Sequence, residues 1–418
     1  MREEEAGGAA TRGQAPVEAA PRRRPRELSP FVLALTGILA IVYSYLALRI
    51  ASGTASRLAL AVPFVLIWLV PVIYWVGDRE RRGLADDLVH LAGYLSMGWL
   101  SFVLVLSLAR DALLLATAWV APLAGAFDFL RDSGADWVLI GSLGALAGGA
   151  LAALRGPRVR RVDIPVAGLD PALEGVRIVQ ITDLHVGPAI RAAYVNRVVR
   201  KANELDADLV AVTGDLVDGR VERLARHVAA LAELRPAGRV YFVPGNHEYY
   251  SGAGPWLAHF RSLGFTVLLN EHATLSVRGA RIVVGGVLDP AARVAGPQHV
   301  PRPDLAAGPE EGPAFRLLLA HNPKVASLAQ TAGFDLQLSG HTHAGQFFPW
   351  TLAVRLIHAP HVAGLSRSGR MWVYVSAGTG SWGPPIRLGS EPELTLIRLV
   401  AGKRLPIDRR QARRPSVA

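Results

Sequence analysis

The apolar positions of this chain fall into two regimes. Between residues 31 and 155 they form long runs, 31–50, 58–76, 88–108 and 137–154, each close to one bilayer thickness of helix. A cleaved export signal has a shorter apolar stretch and is not followed by further ones. The pattern therefore predicts a membrane-spanning helical module over 30–156. Arg110 and Asp111 interrupt the third run before apolar character resumes over 112–127, which reads as a short re-entrant or interfacial helix. The last run is rich in Gly and Ala, a composition that lets helices pack closely in a bilayer. Residues 1–29 are polar, charged and rich in Ala, Gly and Pro, as disordered segments are.

Charge placement gives an orientation. Arg22, Arg23, Arg24 and Arg26 precede the first run, Arg79, Arg81 and Arg82 follow the second, and Arg155, Arg158, Arg160 and Arg161 follow the last. The positive-inside bias puts all three clusters in the cytoplasm, which requires an even number of spans, most simply four. A five-span arrangement would instead place the C-terminal domain outside. The expectation is a multi-pass protein of the cell membrane whose main domain, residues 160–400, faces the cytoplasm and is followed by a basic tail over 401–418.

From Val162 the period changes. VRIVQITDLH, DLVAVTGD and RVYFVPGNHE are apolar runs that end in polar residues, and between them RAAYVNRVVRKANEL and VERLARHVAALAEL carry apolar positions at helical spacing. Such alternation indicates βαβ units. Further strands are expected at TVLLN, ATLSVRG, ARIVVGGV, FRLLLAHNP, FDLQLSGHTH, MWVYVSAG and ELTLIRLV, with hairpins around RGAR and RSGR. The result is an α/β domain, a sandwich of two mixed sheets with flanking helices.

Composition narrows the chemistry. The 418 residues include no cysteine, which excludes disulfides and thiolate metal sites. The formal charge of +11 is carried almost wholly by arginine, since Lys201, Lys324 and Lys403 are the only lysines. These arginines gather beside the apolar runs and in the tail RRQARR. They form no basic stripe with interleaved aromatics, so no specific nucleic-acid partner is expected.

Residues with metal-ligating chemistry recur at strand ends. Asp183 and His185 follow Ile181; Asp215 follows VAVT; Asn246 and His247 follow YFVP; His321 follows RLLLA; His341 and His343 follow LQLS. In open α/β sheets ligands bind beyond the carboxyl ends of the strands. Convergence there would gather two carboxylates, one carboxamide and several imidazoles. Each has an ordinary reading by itself: Asp183 as a helix cap, Asp215 and Asn246 as turn residues after glycine, His321 as the close of a strand. Five such ends in succession make independent turns a poor explanation. Oxygen and imidazole donors without thiolates suit Mn²⁺, Fe²⁺ or Zn²⁺, and two ions about 3.5–4 Å apart can clamp phosphate oxygens during in-line displacement.

The series DLH, GDLVDG, GNHEYY, AHNP and GHTHAGQ, in that order between about Val162 and Leu399, resembles the calcineurin-like metallophosphoesterase superfamily, most of all its membrane-associated bacterial YkuE-type branch. The resemblance implies a four-layer αββα sandwich with two divalent metal ions. Asp183, His185 and His343 would hold the first ion, Asn246, His321 and His341 the second, and Asp215 would bridge them. His247 would stabilise the transition state or protonate the leaving oxygen, a role that suits an imidazole titrating near working pH. The loop GTGSWGPPIRLG, 378–389, would form the rim, with Arg387 as a phosphate contact. Ala344 stands where many relatives have a second glycine, which removes no ligand. In a strand, His341 and His343 would point to opposite faces. If the strand LQLS ends at Gly340, both lie on the turn beyond it and each can reach a different ion.

The implied activity is hydrolysis of a phosphate ester or pyrophosphate bond by attack of metal-bound hydroxide. The membrane module suggests a lipid-linked or membrane-adjacent phosphoester as substrate. The rival class, a non-catalytic membrane scaffold or sensor that keeps the fold, predicts missing ligands or a lost His247, and all of these residues are present.

Overall fold

The computed structural model describes residues 30–76, 83–309, 312 and 314–402. The polar segment 1–29, Arg79, Arg81 and Arg82, and the tail beyond 402 lie outside the described residues.

Among the described residues, four helices are long and apolar enough to cross a membrane: α1 (Pro30–Ile50), α2 (Thr54–Val70, continued by a π turn over Pro71–Val76), α3 (Leu84–Thr117) and, after the short α4 (Ala124–Asp132), α5 (Gly134–Leu154). They coincide with the four expected runs, with one correction. α3 does not stop at Arg110 and Asp111 but runs through them to Thr117, 34 residues in all. The stretch 112–127 is no separate helix; its first part completes α3 and its end enters α4. The two charges have partners at the neighbouring helix ends. Arg110 donates to the backbone oxygens of Arg49, Leu130 and Arg131. Asp111 accepts from the Tyr45 hydroxyl and pairs with Arg49, both at 2.9 Å. With their hydrogen bonds satisfied, these charges need not break the helix.

Twelve strands follow among the described residues: β1 (Arg158–Ala167), β2 (Arg177–Ile181), β3 (Leu209–Val212), β4 (Val240–Phe242), β5 (Thr266–Val267), β6 (Glu271–Val277), β7 (Ala280–Gly286), β8 (Phe315–Leu319), β9 (Leu336–Ser339), β10 (Gly364–Ser368), β11 (Met371–Val375) and β12 (Glu393–Gly402). They form two six-stranded sheets, ordered β1-β12-β2-β3-β4-β5 and β10-β11-β9-β8-β7-β6. The first is parallel from β2 to β5, with crossovers through α6 (Ala192–Asn203), α7 (Val221–Val228) and the pair α8 (Asn246–Ser251) and α9 (Ala253–Ser262). In the second, β7, β8, β9 and β11 are parallel, while the hairpins at RGAR and RSGR give the antiparallel pairs β6–β7 and β10–β11.

Alternation along each strand builds the layers. Ile178, Leu209 and Tyr241 face Ile282, Leu317 and Leu336 between the sheets. On the opposite face, Val179, Val210 and Phe242 pack with Val195, Leu224 and Phe260 of the helices. Beyond the second sheet, Leu318 and Val373 meet Ala306 of α10 (Pro303–Ala306) and Ala329 of α11 (Ala326–Thr331). This is the four-layer αββα sandwich. Two elements differ from the sequence expectation. β1, Arg158–Ala167, is not among the expected strands, because its arginines occupy exposed positions of an edge strand and mask the apolar alternation. VERLARHVAALAEL ends as a 3₁₀ turn, Ala229–Glu233, that buries Leu231.

The helical module packs directly on this domain. Asp87 of α3 accepts from Arg191 and Arg223 at 3.1 Å. Ile386 sits against Gly98 of α3 and Gly149 of α5, where a Cβ on either glycine would run into its side chain. Phe102 of α3 meets Phe347 with ring centres 5.7 Å apart.

Candidate metal centre

Because β2, β3 and β4 run parallel, their carboxyl ends share one edge of the first sheet, and the loops after β8 and β9 meet them from the second. Five of the residues gathered there have left-handed backbone: Asp183 (φ 54°), His185 (51°), Asp215 (53°), His341 (72°) and His343 (50°). Such angles are uncommon outside glycine, and strain of this kind concentrates at functional sites. Each residue is thereby turned off its strand. His341 and His343 follow the end of β9 at Ser339, so strand alternation does not separate them.

All eight candidates from Asp183 to His343 come together. Three overlapping donor groups each lie within 4.8 Å: Asp183, His185 and His343; His185, Asp215 and His247; Asp215, His321 and His341. Asn246 Oδ1 joins the last group, 3.0 Å from His341 Nδ1 and 3.2 Å from His321 Nε2. Asp215 Oδ2 lies between the groups, 3.1 Å from His321 Nε2 and 3.8 Å from His185 Nε2.

The donor chemistry fits divalent cations. His185 Nε2 and His343 Nε2 are 3.0 Å apart, and His321 Nε2 and His341 Nδ1 are 3.2 Å apart. Two of these rings are anchored by their other nitrogen, His185 Nδ1 on Asp218 Oδ1 at 2.9 Å and His321 Nδ1 on the Thr213 carbonyl at 2.8 Å. Anchoring of that kind fixes the tautomer and leaves the facing nitrogen as a lone-pair donor. Buried imidazole nitrogens and carboxylate oxygens aimed at common points are what such an ion requires.

Electrostatics agree for His341 and His343; burial would lower His321 too, but Asp215 outweighs it and lifts that ring well above the usual histidine range. Burial and the neighbouring His321 hold His341 down to about 3. Burial, His185 and Arg387 keep His343 well below the usual histidine range, so both remain neutral donors. Burial raises the Asp218 carboxyl, but His185 and His247 outweigh it and hold the group well below the usual carboxylate range. Burial would lower His247, but Asp215 and Asp218 push it up to about 9.

Two supporting carboxylates are absent from the sequence reading. Asp218 accepts from both His185 and His247, at 2.9 and 2.7 Å. Glu248 is buried and accepts three backbone N–H groups, from Asp215 at 2.9 Å and from Leu216 and Gly245 at 2.7 Å, which ties the loop after β3 to the loop after β4. Both lie inside the quoted blocks GDLVDG and GNHEYY, so an acid three residues after Asp215 and one two after Asn246 were visible, but not their partners.

Arg387 departs from expectation. It does not face the open side; it is 1% exposed, and its guanidinium donates to the backbone oxygens of His343, Ala377 and Gly380 and lies 3.2 Å from His343 Nδ1. With its donors turned inward it positions the loop that carries His343. The rim is formed instead by Tyr250 and Trp382, whose rings lie 5.5 and 6.0 Å from that of His247. Gln346 holds the Trp382 loop, donating to the Trp382 and Pro384 carbonyls and accepting from Trp382 N.

The family described as Calcineurin-like phosphoesterase matches residues 176–345. An uncharacterized metallophosphoesterase of Helicobacter pylori (strain J99) is 36% identical over 282 residues, which span 65% of this chain and 74% of that protein. A Danio rerio protein named transmembrane protein with metallophosphoesterase domain is 38% identical over 262 residues, 60% of this chain and 59% of that one. The uncharacterized metallophosphoesterase YkuE of Bacillus subtilis is 30% identical over 284 residues, 62% of this chain and 96% of that protein. With the αββα sandwich and the clustered histidines and aspartates, these matches establish that the chain belongs to the calcineurin-like metallophosphoesterase family.

Proposed function

We propose that this protein is a membrane-anchored phosphoesterase that hydrolyses a phosphate ester or pyrophosphate bond at a centre of two divalent ions. The observation that carries this reading is the position of Asp215 between two groups of buried donors. Asp183, His185 and His343 would hold one ion, Asn246, His321 and His341 the other, with Asp215 shared. Two ions of the Mn²⁺, Fe²⁺ or Zn²⁺ kind would polarise the phosphoryl oxygens and activate water as the nucleophile.

The chain's own residues then orient and protonate. His247 is partly exposed beside the donor groups, its backbone N–H bound to Asp215 Oδ1 at 2.8 Å and its Nδ1 to Asp218. That leaves Nε2 to deliver a proton to the leaving oxygen. Tyr250 and Trp382 flank the His247 ring and offer apolar surface to the substrate's leaving group. The four apolar helices make this a multi-pass protein of the cell membrane in our reading, with the catalytic domain on the cytoplasmic side where arginines predominate. The substrate we favour is accordingly a lipid-linked or membrane-adjacent phosphoester.

The test uses full-length protein in detergent, stripped with chelator and reloaded with Mn²⁺, acting on aryl phosphate monoesters and diesters. Hydrolysis should depend on the metal and vanish in Asp215→Asn. Unchanged turnover in that variant would sink the mechanism. Protease accessibility in intact cells would report the orientation.

A further inference from the structure

We propose that the helix α12 (Trp350–His358) lies in the leaflet on the catalytic domain's side, which sets the metal centre at the headgroup layer of the bilayer. This rests on the reading of α1, α2, α3 and α5 as membrane spans.

The helix, WTLAVRLIH, is mostly apolar, yet none of its residues is buried. Leu356 is 87% exposed and Ile357 61%, and Leu352 and Trp350 are about half exposed. A contiguous apolar patch of this kind marks a surface with a partner. Its position identifies that partner. Trp350 Nε1 lies 3.4 Å from Ser101 Oγ of α3, and the preceding Phe347 packs on Phe102. Ser101 stands only about 13 Å along α3 from Arg110 at 1.5 Å per residue, and Arg110 bonds the carbonyl of Arg49 at the end of α1. α1 is about 30 Å long by the same rise, one hydrocarbon thickness. A bilayer that surrounds α1 therefore also reaches the level where α12 begins. Water around Leu356 and Ile357 would leave an apolar face beside the lipid belt uncovered. Lipid covers both.

The patch also leads to the chemistry. Phe348 bonds through its backbone to Leu388 at 3.1 Å, and both side chains are exposed. Leu388 belongs to the rim loop that carries Trp382, the neighbour of His247. At the far end of α12, the His358 ring lies 5.3 Å from that of His341. Arg355 on α12, and Arg155, Arg158 and Arg161 where α5 leaves the span, are exposed and placed to meet anionic headgroups.

The chain has no cysteine, so single-cysteine spin labels can be placed on the full-length protein in phosphatidylcholine–phosphatidylglycerol vesicles. The label at Leu356→Cys should show an oxygen-to-nickel-chelate accessibility ratio at least about tenfold above that at Leu328→Cys on α11, and near that at Leu143→Cys on α5, as for a helix lying in the interface. Ile357→Cys repeats the measurement at a second position. If Leu143→Cys reads lipid while Leu356→Cys and Ile357→Cys read water, the embedding of α12 is overturned and the spans stand. Shelter from both reagents at α12, the signature of a protein partner or a second copy, overturns it too. If Leu143→Cys itself reads water, the spanning reading fails and this inference falls with it.

Discussion

The Asp218 carboxylate binds His247 Nδ1 at 2.7 Å, and the same oxygen lies 2.9 Å from His185 Nδ1. One oxygen thus sets the tautomer of a proposed ligand and of the proposed acid. Asp218→Asn keeps the shape but removes the charge, and should lower both turnover and metal affinity by about 10–100-fold. His247→Ala should cost roughly 10²–10⁴-fold in turnover with metal content unchanged. Turnover assays paired with metal titration check both. If Asp218→Asn leaves metal affinity untouched, its contact with His185 does not orient a ligand.

Protonation of His247 in chelated protein follows from the same carboxylates. Asp215 and Asp218 outweigh burial and place its titration near 9, above the ordinary value of about 6.5. A histidine raised in this way adds stability that is fully present below about 6.5 and is lost as pH rises through about 9. Histidine proton shifts measured by NMR on chelated protein should show the high value, and Asp218→Asn should bring it down. Reloading diamagnetic Zn²⁺ should lower it as well, since cations beside Asp215 offset its charge. An imidazole that titrates near 6.5 in the chelated wild type would refute the geometry.

Arg387 reaches the reaction only through His343 and the rim loop. Arg387→Leu strips its donors from the carbonyls of His343, Ala377 and Gly380, of which His343 O still accepts from Gln346 N. Each unsatisfied buried carbonyl costs about 1–3 kcal/mol, so the melting temperature should fall by several degrees and one metal position should weaken. Arg387→Lys keeps the charge without the planar fork and should recover only part of the loss. At saturating metal the KM for an aryl phosphodiester should stay within about twofold of wild type, because burial keeps the guanidinium from an exposed phosphate. A tenfold rise in KM with full metal occupancy would return Arg387 to the role of phosphate contact.

What the sequence made legible was local. Asp183, Asp215, Asn246, His321 and the His341–His343 pair each close an apolar run, so chain order alone displays them. The partners that support them come from far away. Glu248 receives the backbone of Asp215 and Leu216, more than thirty positions upstream, and spacing says nothing about such a contact. Arg387 reads from the sequence as a phosphate contact on the rim, since arginines are rarely buried; only the tertiary convergence of the 343 and 377–380 carbonyls makes a buried pocket for it. Likewise Arg110 and Asp111 read as a break in α3 because their partners, Tyr45 and the ends of α1 and α4, belong to other helices. β1 was hidden by edge arginines whose exposure only the sheet order explains.

His341 and His343 offer the sharpest test of the two-ion reading, since they are neighbours in sequence yet belong to different donor groups. His343 Nε2 faces His185 and Asp183 at 3.0 and 3.4 Å, whereas His341 Nδ1 faces His321 and Asn246 at 3.2 and 3.0 Å. His343→Ala should therefore weaken the ion at Asp183 and His185, and His341→Ala the ion at Asn246 and His321. Each variant should retain about one Mn²⁺ per chain after dialysis, as expected when one of a bridged pair is lost. The electron-paramagnetic signal of spin-coupled manganese should disappear in both and in Asp215→Asn. Asp215→Asn should differ from either histidine variant by weakening both ions together, because its carboxylate lies within reach of both groups. Two ions bound at wild-type affinity in either histidine variant would refute the assignment, as would the simultaneous loss of both.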